Sequence, residues 1–343
     1  MSRRLVTMIV GAGLLLVTAV AGVWLRVPYA ALGPGPTINT LGTVDGKEII
    51  SIDGRSANKT SGNLNLTTVS VTDHLDLLSA LRGWIDGRSA VVPREELFPP
   101  GKSEEEVDKD NTADFVESQS NAETAALGEL DATCHCYPLK VVVQSVPDDS
   151  PAKDRLRPDD VIESVNGTAI TTFDELRNAL NKVGAGHPAT VAYNRDKKPG
   201  TAQVVLREAT DGPKLGVTVA TERIAPFTIN IRVGEQIGGP SAGLMFALGI
   251  IDKIGADDLT GGQFIAGTGT IDDKGAVGPI GGIPLKMIAA RDAGATVFLV
   301  PGDNCAEATA NPPAGLRLVR VDTLHDAVTS LHALGTGGTV PTC

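Results

Sequence analysis

Aromatic residues are scarce in this chain. Phe, Trp and Tyr together make up only 3% of its 343 residues, whereas the hydrophobic residues as a whole make up 42%. With so few large rings, the hydrophobic cores must be built from small aliphatic side chains. The length is sufficient for two or three compact domains, each with a core of its own.

Basic clusters are also lacking. The chain has 30 Lys and Arg residues against 41 Asp and Glu residues, which gives a formal net charge of -11. No run of Lys and Arg interleaved with aromatic residues is found anywhere in the sequence. Because nucleic-acid binding depends on such basic surfaces, we expect no nucleic-acid partner.

The few cysteines and histidines do not form a metal-binding pattern. Cys134 and Cys136 flank His135, but no second Cys/His cluster is present to complete a tetrahedral site. The sequence therefore predicts no metal and no other cofactor. Cys305 and Cys343 are a hypothetical disulfide that would tie the C-terminal tail to the last domain, and two free thiols are the alternative.

One long hydrophobic segment near the N-terminus predicts a membrane anchor. Leu5–Leu25 contains no charged residue, and as a helix it would be about 30 Å long, the thickness of a bilayer core. Arg3 and Arg4 precede it, so the positive-inside rule predicts a single-pass protein of the cell membrane, with a cytoplasmic N-terminus and everything after Arg26 on the far side. A cleaved signal peptide is the alternative, because Ala19-Val20-Ala21 has the form of a cleavage site.

The segment after the anchor is predicted to be a linker followed by a small α/β region. Gly33-Pro34-Gly35-Pro36 is typical of a stiff linker without regular structure. Alternating polar and aliphatic residues over Ile49–Val71 predict a small sheet, and Asp73–Trp84 is a predicted helix. Ser103-Glu104-Glu105-Glu106 has the form of a capping box, which predicts a further helix running towards Leu130.

The middle of the chain has a distinctive order of strands, turns and a helix. Ser150-Pro151-Ala152 is followed by Asp159–Gly167, which ends in the turn pair Asn166-Gly167, and then by an amphipathic helix over Phe173–Val183. This order resembles a PDZ domain over about Leu127–Arg207. The resemblance implies that an extended chain, often a C-terminus, binds by addition to a sheet edge.

The peptide site implied by this resemblance lies beside the strand Lys140–Val146. The loop before it, Cys136–Leu139, lacks the Gly-Leu-Gly-Phe run of many PDZ domains, and Pro138 removes one amide donor, which disfavours carboxylate capture. A packing module that binds no free terminus is the alternative. The candidate peptide-binding residues are Tyr137, Leu139, Val141 and Val143.

A glycine-rich segment places a serine at the start of a predicted helix. Gly238–Gly243 has the sequence Gly-Gly-Pro-Ser-Ala-Gly and precedes an apolar helix from Leu244 to about Lys253. A helix N-terminus offers free amides and the positive end of the helix dipole, which suit an oxyanion formed when a hydroxyl attacks a carbonyl. Ser241 is therefore a candidate nucleophile, and a plain N-cap serine is the alternative. The oxyanion or turn candidates beside it are Gly239, Pro240 and Ala242.

A serine hydroxyl needs a nearby base, and the 5 histidines do not suggest one. They are spread over the front segment, the PDZ-like region and a predicted last helix, where surface or core positions explain them. Lys286 follows the glycine-rich turn Gly278–Leu285 and has apolar neighbours, so burial could lower its pKa from about 10.4 and leave a neutral amine. A lysine whose ammonium group reaches solvent is the alternative.

Several segments together resemble the proteolytic domain of Lon proteases over about Lys214–Leu334. The resemblance implies that Ser241 is the nucleophile, Lys286 the general base and Thr268 a residue that orients the lysine. Many Lon sequences have Gly-Glu after this threonine, where this chain has Gly269-Thr270, a change at an accessory position. The shared segments, in the same order, are Gly-Gly-Pro-Ser-Ala-Gly, Gly267-Thr268-Gly269, the Gly-Pro-Ile-Gly-Gly turn before Lys286, Ala289–Gly294, and the strand Thr296–Val300 with Pro301 and Asn304.

The ATPase of full-length Lon has no counterpart in this sequence, which lacks a Gly-x-x-x-x-Gly-Lys-Ser/Thr phosphate loop. The anchor, the PDZ-like region and the Lon-type region together resemble the PDZ-containing Lon-like proteases of bacteria. They imply an α+β protein with an N-terminal transmembrane helix, a PDZ-like domain and a C-terminal Lon-type proteolytic α/β domain. The expected domains are 1–26 (cytoplasmic tip and transmembrane anchor), 27–121 (linker and small α/β segment), 122–210 (PDZ-like), 211–336 (Lon-type) and 337–343 (tail).

The function implied is that of an ATP-independent serine endopeptidase that cleaves flexible or unfolded exported protein segments. The family also implies a homo-oligomer, since Lon proteolytic domains often form rings. A non-catalytic scaffold with a peptide-binding PDZ-like groove is one alternative. A signal-peptidase-like Ser/Lys enzyme is another, which the Gly-Gly-Pro-Ser-Ala-Gly segment and the PDZ-like region disfavour.

Overall fold

The protein folds into two compact units. One, the discontinuous unit, comprises the residues up to Ala122 together with Ile229–Cys343, and the other, the inserted unit, comprises Glu123–Thr228. The computed structural model describes residues 4, 8–13, 24–134, 137–210, 212–234 and 237–343, without the side chains of residues 133 and 134.

Groups of strands are separated by helices along the chain. The strands are β1 (Tyr29–Asn39), β2 (Thr43–Val44), β3 (Lys47–Glu48), β4 (Ile50–Asp53), β5 (Asn63–Thr72), β6 (Ala90–Pro93), β7 (Leu139–Ser145), β8 (Val161–Val165), β9 (Thr168–Ala169), β10 (Pro188–Arg195), β11 (Lys198–Val205), β12 (Thr218–Arg223), β13 (Thr228–Ile231), β14 (Phe264–Gly267), β15 (Thr270–Ile271), β16 (Val277–Gly278), β17 (Val297–Pro301) and β18 (Arg317–Val321). The helices are α1 (Leu77–Ile85), α2 (Arg94–Leu97), α3 (Glu104–Cys134), α4 (Phe173–Val183), α5 (Gly243–Ile254), α6 (Ile283–Asp292), α7 (Cys305–Ala310) and α8 (Leu324–Gly335), and a 3-10 turn over Gly302–Asn304 precedes α7.

The discontinuous unit is built on a six-stranded sheet with the order β18-β17-β14-β5-β1-β6. The strands from β18 to β5 run parallel, and β1 is antiparallel to both of its neighbours. All five residues of β17 are buried, as expected for a parallel strand covered on both faces. Because β5 pairs with β14, residues from before and after the inserted unit share one sheet.

The prediction of an irregular linker at Gly33–Pro36 is wrong, because these residues lie within β1. β1 pairs with β6 only over Tyr29–Leu32, so one of its sides has no partner strand beyond Leu32 in the described chain. Its pairing with β5 also shifts register between Pro34 and Thr37. Proline is tolerated at a strand edge and at a bulge, because no hydrogen bond between strands is lost there when the N–H group is missing.

The prediction of a transmembrane helix must be corrected. Among the residues that the structure describes, no helix is both long enough and apolar enough to cross a bilayer, which takes about 20 consecutive apolar residues. This finding overturns the expected single-pass architecture and the cell-membrane location derived from it. Of the predicted segment Leu5–Leu25, residues 5–7 and 14–23 lie outside the described residues, and so does the alternative cleavage site Ala19–Ala21.

Two helices of the front region follow from their capping residues. Asp76 accepts a hydrogen bond from a backbone amide of the first turn of α1, so the helix begins at Leu77 rather than at the predicted Asp73. Ser103 and Glu106 form the reciprocal hydrogen bonds of a capping box at the start of α3. From there α3 continues for 31 residues, past the predicted end near Leu130.

The inserted unit has a sheet with the order β11-β10-β8-β7-β12, to which β9 adds beside β8. Asn166 and Gly167 have positive φ angles of 48° and 80°, which the predicted two-residue turn requires. Thr172 and Glu175 form a capping box at the start of α4, whose apolar face belongs to the core of this unit. The sheet includes β12, which lies beyond the boundary expected at residue 210.

Candidate active site

Ser241 lies in the short segment that joins β13 to α5. Gly239 in this segment has a φ angle of 81°, a left-handed conformation that glycine adopts without strain. The N-cap of α5 is Ala242, which makes no side-chain capping bond, and every residue of α5 is buried. The side chain of Ser241 therefore does not cap α5, which contradicts the alternative interpretation of Ser241 as a plain N-cap serine. Its hydroxyl is available for another partner.

That partner is Lys286, in the first turns of α6. Its Nζ lies 2.7 Å from the Oγ of Ser241. Only 4% of the Lys286 residue is exposed, so its amine does not reach solvent. Burial lowers the pKa of Lys286 from 10.5 to about 8, because the low-dielectric surroundings disfavour the ammonium form.

Thr268 follows β14 and contacts both Ser241 and Lys286. Its hydroxyl donates a hydrogen bond to the Ser241 carbonyl at 3.0 Å, so its oxygen accepts a hydrogen bond from the Lys286 Nζ, also at 3.0 Å. One N–H of the amine is thereby directed to Thr268, which leaves the nitrogen lone pair free to face Ser241 when the amine is neutral. The Ser241 carbonyl also accepts a hydrogen bond from the Gly269 amide at 2.9 Å.

The three predicted oxyanion or turn candidates differ in their backbone amides. Pro240 has no N–H group, and the Gly239 amide is committed to the carbonyl of Asn111 at 2.9 Å. The amides of Ala242 and of Ser241 itself have no hydrogen-bond partner within the part of the chain that the structure describes. These two N–H groups are therefore the donors available for an oxyanion at Ser241.

Asn304 fixes the turn that precedes Lys286. Its side-chain amide donates to the carbonyl of Ile280 and accepts from the amide of Ile280, both at 2.9 Å. Asn304 is buried, with 6% of its surface exposed. The resemblance to Lon proteases includes Asn304 but implies no role for it. The sequence signal for such a role is an asparagine that closely follows the buried strand β17.

A cleft of about 610 Å³ opens at Ser241 and Lys286, and one of its walls is residues Leu66–Val71 of β5. β5 pairs with β14 only as far as Leu66, and with β1 on both sides of the register shift at Thr68. From Thr67 onward the second edge of β5 has no partner strand in the described chain. An unpaired strand edge beside Ser241 can accept an extended chain through backbone hydrogen bonds. The predicted small separate sheet over Ile49–Val71 is therefore wrong for this strand, whose place beside Ser241 its own sequence does not indicate.

The predicted peptide site beside Lys140–Val146 is wrong, because β7 pairs with β8 on one side and with β12 on the other. A strand between two partners has no free edge to offer. The predicted binding residues are correspondingly core or ladder residues: Val141 and Val143 are 0% exposed, Tyr137 is 6% exposed, and Leu139 is partly buried opposite Arg223.

The inserted unit has a groove elsewhere, between α4 and residues 213–219. Its volume is about 290 Å³, and β12, which begins there, is the edge strand of the sheet. Gly216 in this segment has a φ angle of 79°, and a Cβ atom there would lie 2.6 Å from Pro151. The sequence signal for this groove was Leu215-Gly216-Val217, a glycine directly before an alternating strand. The side chains that α4 contributes are Phe173, Leu176, Arg177 and Leu180.

Cys305 and Cys343 form a disulfide bond. The tail is also held by a hydrogen bond from the Arg320 amide to the Pro341 carbonyl, so it is fixed to β18 as well as to α7. The side chains of Cys134 and Cys136 lie outside the described residues.

One group of three potential metal ligands occurs among the described residues, namely Asp73, His74 and Glu104. The guanidinium of Arg94 forms ion pairs with both carboxylates of this group. Asp73 is partly buried, His74 and Glu104 are exposed, and none of the three lines the cleft at Ser241, so the cluster is an ion-pair network outside the candidate active site.

Two regions of the chain match known protein families. Residues 234–331 match the Lon protease (S16) C-terminal proteolytic domain, and residues 109–206 match the PDZ domain. The first region contains Ser241, Thr268 and Lys286. The chain thus has a Lon-type proteolytic region, which supports a serine peptidase, and a PDZ region.

The curated relatives of the chain are Lon proteases. Lon protease 2 of Bacillus subtilis (strain 168) is 36% identical over 103 residues, which are 29% of this chain and 18% of that protein. Lon protease of Campylobacter concisus (strain 13826) is 30% identical over 196 residues, which are 49% of this chain and 24% of that protein. The chain therefore spans about a quarter or less of the length of these relatives. Among solved structures, the PDZ domain of an SdrC-like protein from Listeria monocytogenes is 28% identical, covering 23% of this chain and 85% of that chain with a TM-score of 0.22.

Proposed function

We propose that this protein is an ATP-independent serine endopeptidase in which Ser241 is the nucleophile and Lys286 the general base. The observation that carries this proposal is the 2.7 Å separation between the Lys286 Nζ and the Ser241 Oγ, with the lysine buried. Proton transfer requires a base within hydrogen-bond distance and a pKa near the working pH. A lysine pKa of about 8 meets the second requirement, because it leaves part of the amine neutral near pH 7.

The reaction follows from this geometry. The neutral amine of Lys286 takes the proton of the Ser241 hydroxyl while the Oγ forms a bond to the carbonyl carbon of the substrate peptide. The tetrahedral oxyanion is stabilised by the amides of Ser241 and Ala242, and by the positive end of the α5 dipole. When the C–N bond breaks, the Lys286 ammonium returns the proton to the departing amine. A water molecule then attacks the acyl ester with Lys286 as base, and the proton goes back to the Ser241 oxygen.

The cleft also favours a class of substrate. The unpaired edge of β5 over Thr67–Thr72 accepts a chain only when that chain is extended, because its backbone groups must be free to pair. Folded proteins have already used these groups internally. The substrates are therefore flexible or unfolded protein segments, and no ATP-driven unfolding step is part of the proposed reaction.

The pH dependence of activity tests this proposal. Cleavage of a chemically unfolded, fluorescently labelled protein in the absence of ATP should increase about tenfold between pH 7 and pH 9, since a base with a pKa of about 8 goes from about one tenth to about nine tenths neutral. The sign follows from the chemistry, because only the deprotonated amine of Lys286 can accept the serine proton. The measurement is initial rate against pH under kcat/KM conditions.

A profile with the opposite slope, or one that is flat from pH 7 to 9, would contradict a lysine base. The stability of the fold across this range should be checked by circular dichroism, so that loss of folded protein is not mistaken for titration. The complete absence of cleavage at every pH would leave the alternative of a non-catalytic scaffold.

The groove of the inserted unit supports a second function, the binding of an extended peptide. β12 is an edge strand, and α4 runs beside it, so a peptide that adds to β12 would place its side chains against Phe173 and Leu176. Arg177 lines the same groove, and its positive charge suits a carboxylate or an acidic peptide. We propose that this unit binds substrate segments.

A surface substitution in this groove tests the binding function. Phe173 is 48% exposed, so Phe173→Ala removes apolar contact area from the groove without opening the core, and we expect about tenfold weaker binding of short peptides that end in a free carboxylate. Asn178→Ala, at an exposed position of α4 that does not line the groove, is the matched control. Binding is measured by fluorescence anisotropy on full-length protein. Equal affinities for the two variants would exclude this groove as the peptide site.

A further inference from the structure

One face of α3 contacts the segment that bears the nucleophile. Asn111, Phe115 and Ser118 are spaced at i, i+4 and i+7 and therefore lie on the same side of the helix. The Asn111 carbonyl accepts a hydrogen bond from Gly239. The ring of Phe115 packs edge-on against Phe246 of α5 at a centroid distance of 5.8 Å.

Ser118 makes the contact nearest to the reacting atoms. Its hydroxyl donates a hydrogen bond of 3.0 Å to the carbonyl of Pro240, the residue directly before the nucleophile. Only 3% of Ser118 is exposed. A helical serine normally satisfies its hydroxyl on the carbonyl one turn earlier in its own helix. Ser118 instead bonds a carbonyl 122 residues away in the sequence.

This bond determines the direction of the Ser241 amide. The peptide bond between Pro240 and Ser241 is planar and trans, so its C=O and N–H groups point in opposite directions. With the Pro240 carbonyl held towards α3, the Ser241 N–H points away from α3. Ser241 and Ala242 line the cleft, whereas none of its lining residues belongs to α3, so an N–H group that points away from α3 can face the cleft.

The same contacts restrict the rest of the segment. A Cβ atom on Gly238 would lie 3.1 Å from the Cβ of Asn111, so the backbone and α3 are in close contact there. The Gly239 amide is turned towards α3 by its bond to Asn111. Two of the three peptide groups between Gly238 and Ser241 are thus oriented by one helix face, and the sequence motif around Ser241 contains none of the α3 residues.

We infer that Ser118 is a positioning residue for the oxyanion site, acting by holding the Pro240–Ser241 peptide so that the Ser241 N–H faces the cleft. The inference rests on the proposed peptidase function. It predicts that Ser118 affects stabilisation of the transition state and leaves substrate binding and the titration of Lys286 unchanged.

The test compares Ser118→Ala with wild type in the full-length protein. We expect kcat to fall about 10- to 100-fold with KM unchanged. Complete loss of one oxyanion donor lowers kcat about 100-fold or more, and a misoriented donor should cause only part of that loss. The decisive measurement is the inhibition constant of a peptidyl aldehyde, which adds to the serine hydroxyl and places its oxyanion at the same amides. That constant should rise by the same factor as kcat falls, while the pH midpoint of activity stays the same.

A loss of folded protein would give a different result, because it lowers the number of active molecules without changing the inhibition constant of the remainder. Thr112→Ala is the control, since its hydroxyl bonds only the Asp108 carbonyl in its own helix. Ser118→Cys has nearly the volume of serine and a weaker donor, and it should give an intermediate rise in the inhibition constant even if the alanine variant folds poorly.

The inference is overturned if the inhibition constants of Ser118→Ala and Ser118→Cys stay within about twofold of wild type, whatever happens to kcat. Wild-type protein that neither cleaves an unfolded substrate nor binds the aldehyde would instead overturn the proposed function itself. The two failures are therefore distinguishable in one set of measurements.

Discussion

Ser241→Ala should abolish cleavage, with a fall in kcat of about 10⁴-fold or more at every pH. Removal of the nucleophilic hydroxyl leaves only the binding cleft and the oxyanion amides, which alone accelerate peptide hydrolysis weakly. The substitution removes one oxygen from a partly buried position at the start of α5, so folding should be preserved. The measurement combines cleavage of an unfolded substrate, labelling by a fluorophosphonate probe, and circular dichroism of the same preparation.

Ser56→Ala is the matched control for this result, because Ser56 is an exposed serine of the same unit that does not line the cleft. It should retain full activity and full labelling. If the Ser241→Ala protein is folded and still cleaves at a rate within tenfold of wild type, Ser241 is not the nucleophile and the proposed mechanism is wrong.

Lys286→Arg and Lys286→Met should both be inactive, but for different reasons and with different stabilities. Arginine keeps a positive charge that does not dissociate at any usable pH, so it cannot accept the serine proton. Methionine has a similar length and no charge, and it removes the base altogether. We expect each variant to lose about 10³-fold or more in kcat, because the alkoxide must then form without assistance.

The stabilities of these variants follow from the same burial that lowers the lysine pKa. In the folded state Lys286 releases its proton at about pH 8, whereas in the unfolded chain it does so near 10.5. The unfolded state therefore binds more protons between these values, and the contribution of this group to stability increases as the pH rises from about 8 to 10.5. Below pH 8 the buried ammonium is a constant cost, so Lys286→Met should unfold at a higher temperature than wild type at pH 7, and Lys286→Arg at a lower one.

Thermal unfolding and kinetics measured on the same samples separate the two roles of this lysine. If the Lys286→Met variant is inactive but more stable than wild type, Lys286 is a functional group that lowers the stability of the fold. An arginine variant with near wild-type activity would refute the base assignment, since guanidinium cannot act as a base here. A methionine variant less stable than wild type at pH 7 would contradict the burial argument.

The parts of the site that the sequence could suggest are those encoded by short motifs. Gly-Gly-Pro-Ser-Ala-Gly and the glycine-rich turn before Lys286 each specify a local backbone, because glycine and proline restrict which conformations are possible. A resemblance spanning several such motifs indicates Ser241, Thr268 and Lys286, and in the structure the Lys286 Nζ lies within hydrogen-bond distance of both hydroxyls. The capping box at Ser103 likewise predicted the start of α3 from four residues.

The parts that sequence reasoning missed depend on pairing between distant segments. β5 looked like a member of a local sheet because nothing in its own sequence indicates that it pairs with β14, and the hydrogen bond from Thr67 to Gly267 spans 200 residues. The proline-rich β1 looked like a linker because local rules treat proline as a breaker, whereas the position of a strand edge is a property of the whole sheet. The peptide groove was placed beside β7 for the same reason, since only the strand order shows that β7 is internal and β12 is at the edge.

The two sequence segments of the discontinuous unit are separated by the inserted unit, and this has a consequence for biosynthesis. On the ribosome, β1 and β5 emerge first, the inserted unit next, and the segment with Ser241, Thr268 and Lys286 last. The early strands cannot complete their sheet until β14 has been translated, which makes this a fold of long-range contacts that close slowly. One wall of the cleft is thus made well before Ser241, and Lys286, the proposed base, is made later still. Under the proposed mechanism, a nascent chain therefore cannot cut itself or its neighbours until Lys286 has been synthesised and folded into place.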